Sequence, residues 1–246
     1  MEDEIPLQAK ACGSFLSTRM IKKILFDKKG RKYYWEKGDF STSFGLLKES
    51  EMNNREITSN TNQKFKVFDA NFLDNLEKIR IGPAVAHLKD IGSILIYSGV
   101  NKNSIVAEAG TGSGMLTSVL ANFVSRVDSY EKNEDFFNLS RKNIEKLGIK
   151  NVSLFNKDIS ELKGKYDLIV LDLLDPWSYD LNDNLKEGSY LVAYLSNIKQ
   201  VNELVKSSEL YCERAIEIIQ REWHPEKFRP KNAGLGHTAF LVFLRK

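Results

Sequence analysis

The segment Glu108-Ala-Gly-Thr-Gly-Ser-Gly114 lies between a short apolar run, Ser104-Ile-Val-Ala-Glu-Ala, and a stretch from Met115 to Val124 with helical spacing of apolar residues. No other feature restricts the fold as much. Glycines let a backbone turn tightly and come close to a ligand. The spacing Gly110, Gly112, Gly114 misses the dinucleotide fingerprint, whose third glycine falls one residue later. A phosphate-binding P-loop needs Lys and then Ser or Thr after its last glycine, and Met115-Leu116 stand there instead. What remains is a strand, a glycine turn and a helix, with the turn exposed at a sheet end.

The same alternation continues downstream. Val127-Asp-Ser-Tyr-Glu131 reads as a second strand. Asp135 to Leu147 is amphipathic, with Phe136, Leu139, Asn143, Ile144 and Leu147 as its stripe and Gly148 as a stop. Val152-Ser-Leu-Phe is a third strand ending near Asp158, Tyr166 to Asp172 a fourth and Tyr190 to Tyr194 a fifth, followed by a helix from Val201 to Leu210. Ala215 to Gln220 and Thr238 to Leu244 read as two last strands without a helix between them. Strand–helix alternation implies a parallel sheet with helices on both faces, and the closing pair implies an antiparallel hairpin at one edge.

Before residue 76 the texture differs. Lys23-Ile-Leu-Phe-Asp, the turn Lys28-Lys-Gly-Arg, Lys32-Tyr-Tyr-Trp and the period-2 run Lys64-Phe-Lys-Val-Phe read as short antiparallel strands. The polar stretch Lys48 to Asn62 reads as a loop. The expected division is a small β-rich domain over 1–75 and an α/β Rossmann-like domain over 76–246.

Composition narrows the function. Thirty-six Lys and Arg against 33 Asp and Glu give +3, which permits a polyanionic partner without requiring one. The basic run Lys22, Lys23, Lys28, Lys29, Arg31, Lys32, opposed only by Asp27, favours RNA; a solvated face is the other reading. Residues 221–246 are also basic. No apolar run approaches the ~20 residues that cross a bilayer. The start Met1-Glu-Asp-Glu lacks the basic beginning of a signal peptide. Cys12 and Cys212 form no CxxC, and His87, His224 and His237 are scattered, so no metal site is expected and a reducing cytoplasm is the simplest setting.

Three carboxylates fall at three successive strand ends: Glu131, Asp158 and Asp172. In sheets of this type the ligand crevice lies at the carboxyl ends of the strands. Glu131, 21 residues after Gly110, can accept from both hydroxyls of a ribose there.

Acidic-x-Gly-x-Gly-x-Gly resembles motif I of class I S-adenosylmethionine-dependent methyltransferases. Asp172-Leu-Leu-Asp-Pro-Trp177 is similar to the Leu-Asp-Leu-x-x-Pro-Trp segment of the tRNA adenine-N1 methyltransferase family. Tyr33-Tyr-Trp-Glu-Lys-Gly-Asp-Phe, Arg80-Ile-Gly-Pro-Ala-Val-Ala-His-Leu-Lys-Asp90 and Gly236-His-Thr-Ala-Phe-Leu-Val-Phe resemble further segments of that family, closest to its archaeal members. Two departures stand out: Ser41-Thr42 replaces a common His-Thr, and Leu88 replaces a proline. Residues 1–20 resemble nothing named.

The resemblance implies a seven-stranded class I sheet and S-adenosyl-L-methionine as cofactor. Its contacts would come from Glu108, Gly110, Gly112, Ser113, Gly114, Met115, Leu116, Glu131, Asp158 and Asp172, with Asp158 toward the adenine amino group. It implies a tRNA substrate methylated at adenine N1 in the T-loop, at position 58 and in some archaeal members 57, and a homotetramer. Adenine N1 carries a lone pair and no proton, so it needs no covalent nucleophile. Asp172 is the expected catalytic carboxylate, accepting from the base's N6–H as positive charge grows; a capping role is the plain alternative. By the same resemblance His87 and Tyr194 would clamp an extruded base, while Trp177, after Pro176, would pack. Two other functions stay open on sequence: methylation of another RNA, a protein or a small molecule on the same fold, and a non-catalytic RNA-binding subunit.

Overall fold

The computed structural model describes residues 5–6, 20–82, 85–231 and 236–246. Cys12 and the acidic start lie outside them. The chain divides into two compact units. Within the described residues, one holds 20–79 and 145–147, and the other holds 80–144, 148–246 and the short strand β1 (Ile5–Pro6).

In the smaller unit β2 (Lys23–Asp27) and β3 (Lys32–Trp35) pair antiparallel around the basic turn. Asp27 makes that turn. Its carboxylate accepts from the N–H groups of Lys29 and Arg31 at 2.8 and 3.0 Å and from Arg31 Nε at 2.6 Å, and Gly30 takes φ +76°. The one acid in the basic run is therefore a turn residue. β4 (Phe40–Thr42) and β5 (Gly45–Leu47) form a separate hairpin. β6 (Glu56–Thr58) and β7 (Lys64–Asp69) complete a four-stranded sheet of order β3-β2-β7-β6. The strand β6 and a 3-10 turn at Glu49–Glu51 correct the expectation of a loop over Lys48 to Asn62. Ile57 alone of the three β6 residues is buried, and with Met52 it is one of only two apolar side chains between Lys48 and Asn62, so the segment looks polar although both enter the core. That core is Leu25, Trp35, Leu47, Met52, Ile57, Phe65 and Val67. The helix α1 (Phe72–Leu76) starts at an Asn71–Asp74 capping box.

The larger unit runs α2 (Leu88–Ser98), β8 (Ile105–Ala109), α3 (Met115–Ala121), β9 (Arg126–Tyr130), α4 (Glu134–Lys146), β10 (Val152–Phe155), β11 (Tyr166–Leu171), β12 (Leu185–Leu195), α5 (Ile198–Ser207), β13 (Tyr211–Glu217), the two-residue strands β14 (Trp223–His224) and β15 (Arg229–Pro230), and β16 (Phe240–Arg245). Its sheet has the order β1-β10-β9-β8-β11-β12-β16-β13. From β10 to β12 neighbours are parallel, and β16 runs antiparallel to both β12 and β13. This is the expected seven-stranded α/β sheet with its closing antiparallel pair, extended at the far edge by β1. Buried Ala107, Ile169, Leu171, Leu191, Ala193 and Val242 belong to its core, against which Trp177 packs.

Several boundaries differ from those expected: β12 already starts at Leu185, α3 ends at Ala121, and β16 starts at Phe240. β13 spans Tyr211–Glu217 rather than Ala215 to Gln220, because a bulge between Cys212 and Arg214 breaks the alternation at its start. α5 spans Ile198–Ser207 rather than Val201 to Leu210, because Asn197 caps it by accepting from Gln200 N–H. No helix among the described residues is long and apolar enough to cross a membrane.

Candidate active site

Three adjacent parallel strands, β9, β8 and β11, end side by side, and each releases its chain into the same crevice. β8 gives the glycine loop, β9 gives Glu131 and β11 gives Asp172. The crevice is a cavity of about 760 Å³.

The loop is held from both sides. Gly112 N–H donates to Glu131 Oε2 at 2.9 Å, and Asn133 N–H donates to Glu131 Oε1 at 2.9 Å. Thr111 and Ser129 hydroxyls lie 2.6 Å apart. From α4, buried Asn143 donates to the Ser113 carbonyl at 2.8 Å and the Arg80 carbonyl at 2.7 Å. Its place on an otherwise apolar stripe is explained by those two carbonyls. Gly112 has φ +55° and Gly114 φ +79°, conformations that disfavour side chains. A Cβ on Gly110 would lie 3.3 Å from Glu131 Oε2.

Of the expected site residues, Gly110, Gly112, Ser113, Glu131, Asp158, Asp172, His87 and Tyr194 line the cavity. Glu108, Gly114, Met115 and Leu116 do not. Gly114 is the N-cap of α3, pressed toward Ser140 and Ile144, and Leu116 is core. Glu108 is fully buried. Its Oε2 accepts from Ser129 Oγ at 2.9 Å, and its Oε1 has no hydrogen-bond partner. Burial, reinforced by the charges of Asp172 and Glu131 and offset in part by the Thr117 and Ser129 hydroxyls, pushes its pKa up to about 8. The shift favours the protonated acid, packed beneath the loop.

Asp172 is raised for the same reasons, burial first and then the Glu131 charge, to about 6. Its carboxylate has no hydrogen-bond partner among the described residues. Asp158 lies differently. It caps the 3-10 turn Ile159–Glu161, with Oδ1 accepting from Ser160 N–H at 2.9 Å, a bond that holds its pKa low, and Oδ2 accepting from the Tyr179 hydroxyl at 3.1 Å. Trp177 is absent from the cavity wall.

Tyr179 and Gln200 line the cavity without belonging to any motif in the sequence, and Thr238 lines it from within the Gly236-His-Thr-Ala-Phe segment, where the sequence assigned it no role. Gln200 donates to the Leu174 carbonyl at 2.8 Å, tying α5 to the loop after β11. Tyr194 donates to Asp90 Oδ2 at 3.2 Å.

The donor set suits a cationic ligand with a ribose. The carboxylate of Asp172, unpartnered among the described residues, and that of Glu131, held by two backbone N–H groups, make a negative cavity floor. Positive charge there relieves the Glu131 repulsion that, after burial, raises the pKa of Asp172. The loop beside them leaves open space at Gly112, where a Cβ would meet nothing within 4 Å. Among the described residues no group of three or more His, Cys, Asp or Glu side chains is placed to hold a metal ion.

Comparison with known proteins gives the family. The family model for protein-L-isoaspartate(D-aspartate) O-methyltransferase matches residues 52–218, which takes in the glycine loop and β8 to β13 but stops before β16. The tRNA (adenine(57)-N(1)/adenine(58)-N(1))-methyltransferase TrmI of Methanocaldococcus jannaschii is 30% identical over 91% of this chain and 94% of its own. Two solved structures are similar throughout. The tRNA (m1A58) methyltransferase TrmI of Aquifex aeolicus has a TM-score of 0.78 and 27% identity, covering 95% of this chain and 99% of its own. A SAM-dependent O-methyltransferase of Thermotoga maritima has a TM-score of 0.79 and 25% identity, covering 93% of each chain. The shared sheet, the glycine loop and the match along nearly the whole length place this chain in the tRNA (adenine-N1)-methyltransferase family of S-adenosylmethionine-dependent enzymes.

Proposed function

We propose that this protein transfers a methyl group from S-adenosyl-L-methionine to N1 of adenine in tRNA, in the T-loop at position 58 or at 57 and 58. The match to the M. jannaschii enzyme across both units carries this reading. The unpartnered carboxylate of Asp172 beside the glycine loop agrees with it. Incubating the protein with labelled cofactor and unmodified tRNA, then digesting and identifying the nucleoside, tests it. A parallel incubation with an isoaspartyl peptide tests the reading that the matched family model raises. Label in the peptide and none in the tRNA overturns the proposal.

S-adenosylmethionine, when bound, supplies an electrophilic methyl on a positively charged sulfur. Gly110, Gly112 and Ser113 cradle its methionine half. Glu131 accepts from the ribose hydroxyls, using the lone pairs that Gly112 and Asn133 leave free. Asp158 and Tyr179 meet the adenine edge of the cofactor. Glu108, Gly114, Met115 and Leu116 act through the loop that they support.

Asp172 accepts from N6–H of the target adenine. It orients the base and stabilises the charge that N1 alkylation puts on the ring. His87 and Tyr194 hold the ring flat after it leaves its stack. In this proposal a small β-rich domain over 1–75 offers Lys28 and Lys29 to tRNA phosphates, and 76–246 form the catalytic domain. A homotetramer working in the cytoplasm completes the proposal.

A further inference from the structure

The first turn of α2 buries an ion pair for which none of the roles above has a use. The side chains of Lys89 and Asp90 are 5% and 0% exposed. Lys89 Nζ donates to Asp90 Oδ1 at 2.7 Å, to the Ile218 carbonyl at 2.6 Å and to Thr238 Oγ1 at 2.6 Å. All three ammonium protons are thereby used. Asp90 Oδ2 accepts from Thr238 Oγ1 at 2.7 Å and from the Tyr194 hydroxyl at 3.2 Å. Tyr194 and Thr238 line the cavity; Lys89 and Asp90 do not.

A buried pair of this kind is a poor source of stability. Desolvation offsets most of its attraction, and well-packed apolar residues serve as well. What it supplies is direction. The bonds join four segments far apart in sequence: the start of α2, the end of β12, the chain after β13 and the chain before β16. They leave the Tyr194 phenol one acceptor, at a fixed place. Burial and the Asp90 charge both hold that phenol in its neutral, donating form.

The geometry points to Lys89, Asp90 and Thr238 as positioning residues that lock the Tyr194 ring in one orientation, as a wall against which the target adenine is presented to Asp172. This rests on the reading of Tyr194 as a base contact. A ring free to turn offers no fixed wall, and misplacement by about 1 Å costs on the order of 100-fold in rate.

The test is a double-mutant cycle with single-turnover rates on tRNA at saturating cofactor. Tyr194→Phe keeps the ring and removes its bond. Asp90→Asn weakens the acceptor. Each is expected to lower the rate roughly 10- to 100-fold, with the KM for tRNA and the cofactor Kd changed less than about threefold, since phosphate contacts dominate RNA affinity. In the Tyr194→Phe background Asp90→Asn should add nothing. Losses that multiply overturn the proposal. Asp90→Asn strands the Lys89 charge and can fail to fold, so Lys89→Met/Asp90→Asn, which removes both charges, runs through the same cycle with the same expectation.

A second readout needs no RNA. With ring-labelled tyrosine, the Tyr194 signal, assigned by its loss in Tyr194→Phe, should shift and broaden in Lys89→Met/Asp90→Asn while the other tyrosines stay. An unchanged Tyr194 signal overturns the proposal whatever the substrate. If the wild-type protein leaves tRNA unmethylated, the functional reading fails by itself and this signal still decides whether the network holds the ring.

Discussion

Gly112 N–H and Glu131 Oε2 lie 2.9 Å apart, a hydrogen bond from the glycine loop to the end of the neighbouring strand. With Asn133 N–H on its other oxygen, Glu131 braces the loop it shares the cavity with. Hydrogen bonds to a charged group contribute on the order of 1.5–3 kcal/mol each. Glu131→Ala should therefore weaken cofactor binding by roughly 10- to 100-fold, read by calorimetry. An unchanged Kd would confine Glu131 to bracing and remove it from the ribose.

If Asp172 has the proposed role, the reaction depends on its protonation. Its pKa is raised to about 6, so the carboxylate is lost as pH falls through that value. The single-turnover rate under subsaturating cofactor should rise from pH 5 to 7 and then level. Asp172→Asn should flatten that rise and run on the order of 100- to 1000-fold slower, with Asp172→Ala slower still. Near-normal turnover in Asp172→Ala would move the role to another group, and Asp175, which also lines the cavity, would be next.

Glu108 gives the pH dependence of stability. Its pKa in the folded protein is raised to about 8, above the unfolded value, so unfolding releases its proton and stability falls as pH rises between the two. At pH 8 that penalty is on the order of a few kcal/mol. Glu108→Gln should melt higher than the wild type at pH 8 and at nearly the same temperature at pH 5. Parallel melting curves across that range would mean that the acid is ionised in the fold.

The sheet was legible because its inner strands are apolar runs ended by glycine or a carboxylate, and strand ends are where this architecture collects its ligands. That is why Glu131, Asp158 and Asp172 could be found from their places alone. β6 was not legible, since Ile57 is its one buried residue and a single apolar position carries no period. β13 hid behind its bulge. The glycine motif pooled two kinds of residue, those that face the cavity and those, such as Glu108 and Leu116, that prop it from below. The bond between Lys89 and Thr238 spans 149 positions, and no local pattern announces a contact of that range.

Salt should separate the two halves of the substrate problem. Phosphate contacts release counterions, so tRNA affinity should fall steeply with salt, while cofactor affinity should change little. Lys28→Glu/Lys29→Glu should weaken tRNA binding and reduce the salt slope without altering cofactor Kd, measured by filter binding and calorimetry. Those lysines sit on an exposed turn that Asp27 holds, so the fold should survive. A flat salt dependence would sink the tRNA reading.

The place of β16 between β12 and β13 sets an order of events during synthesis. A chain made from its amino end presents β13 before its partner exists, because the strand that joins β13 to the sheet is made later. Until then β12 keeps an open edge, and Thr238, Lys89 and Asp90 have no meeting point. Of the cavity's lining, residues 82 to 179 are all made before Tyr194, Ser196, Gln200 and Thr238. A chain interrupted before Phe240 would carry Tyr194, Lys89, Asp90 and Thr238 but lack the strand that joins β13 to the sheet and brings Thr238 back beside Asp90.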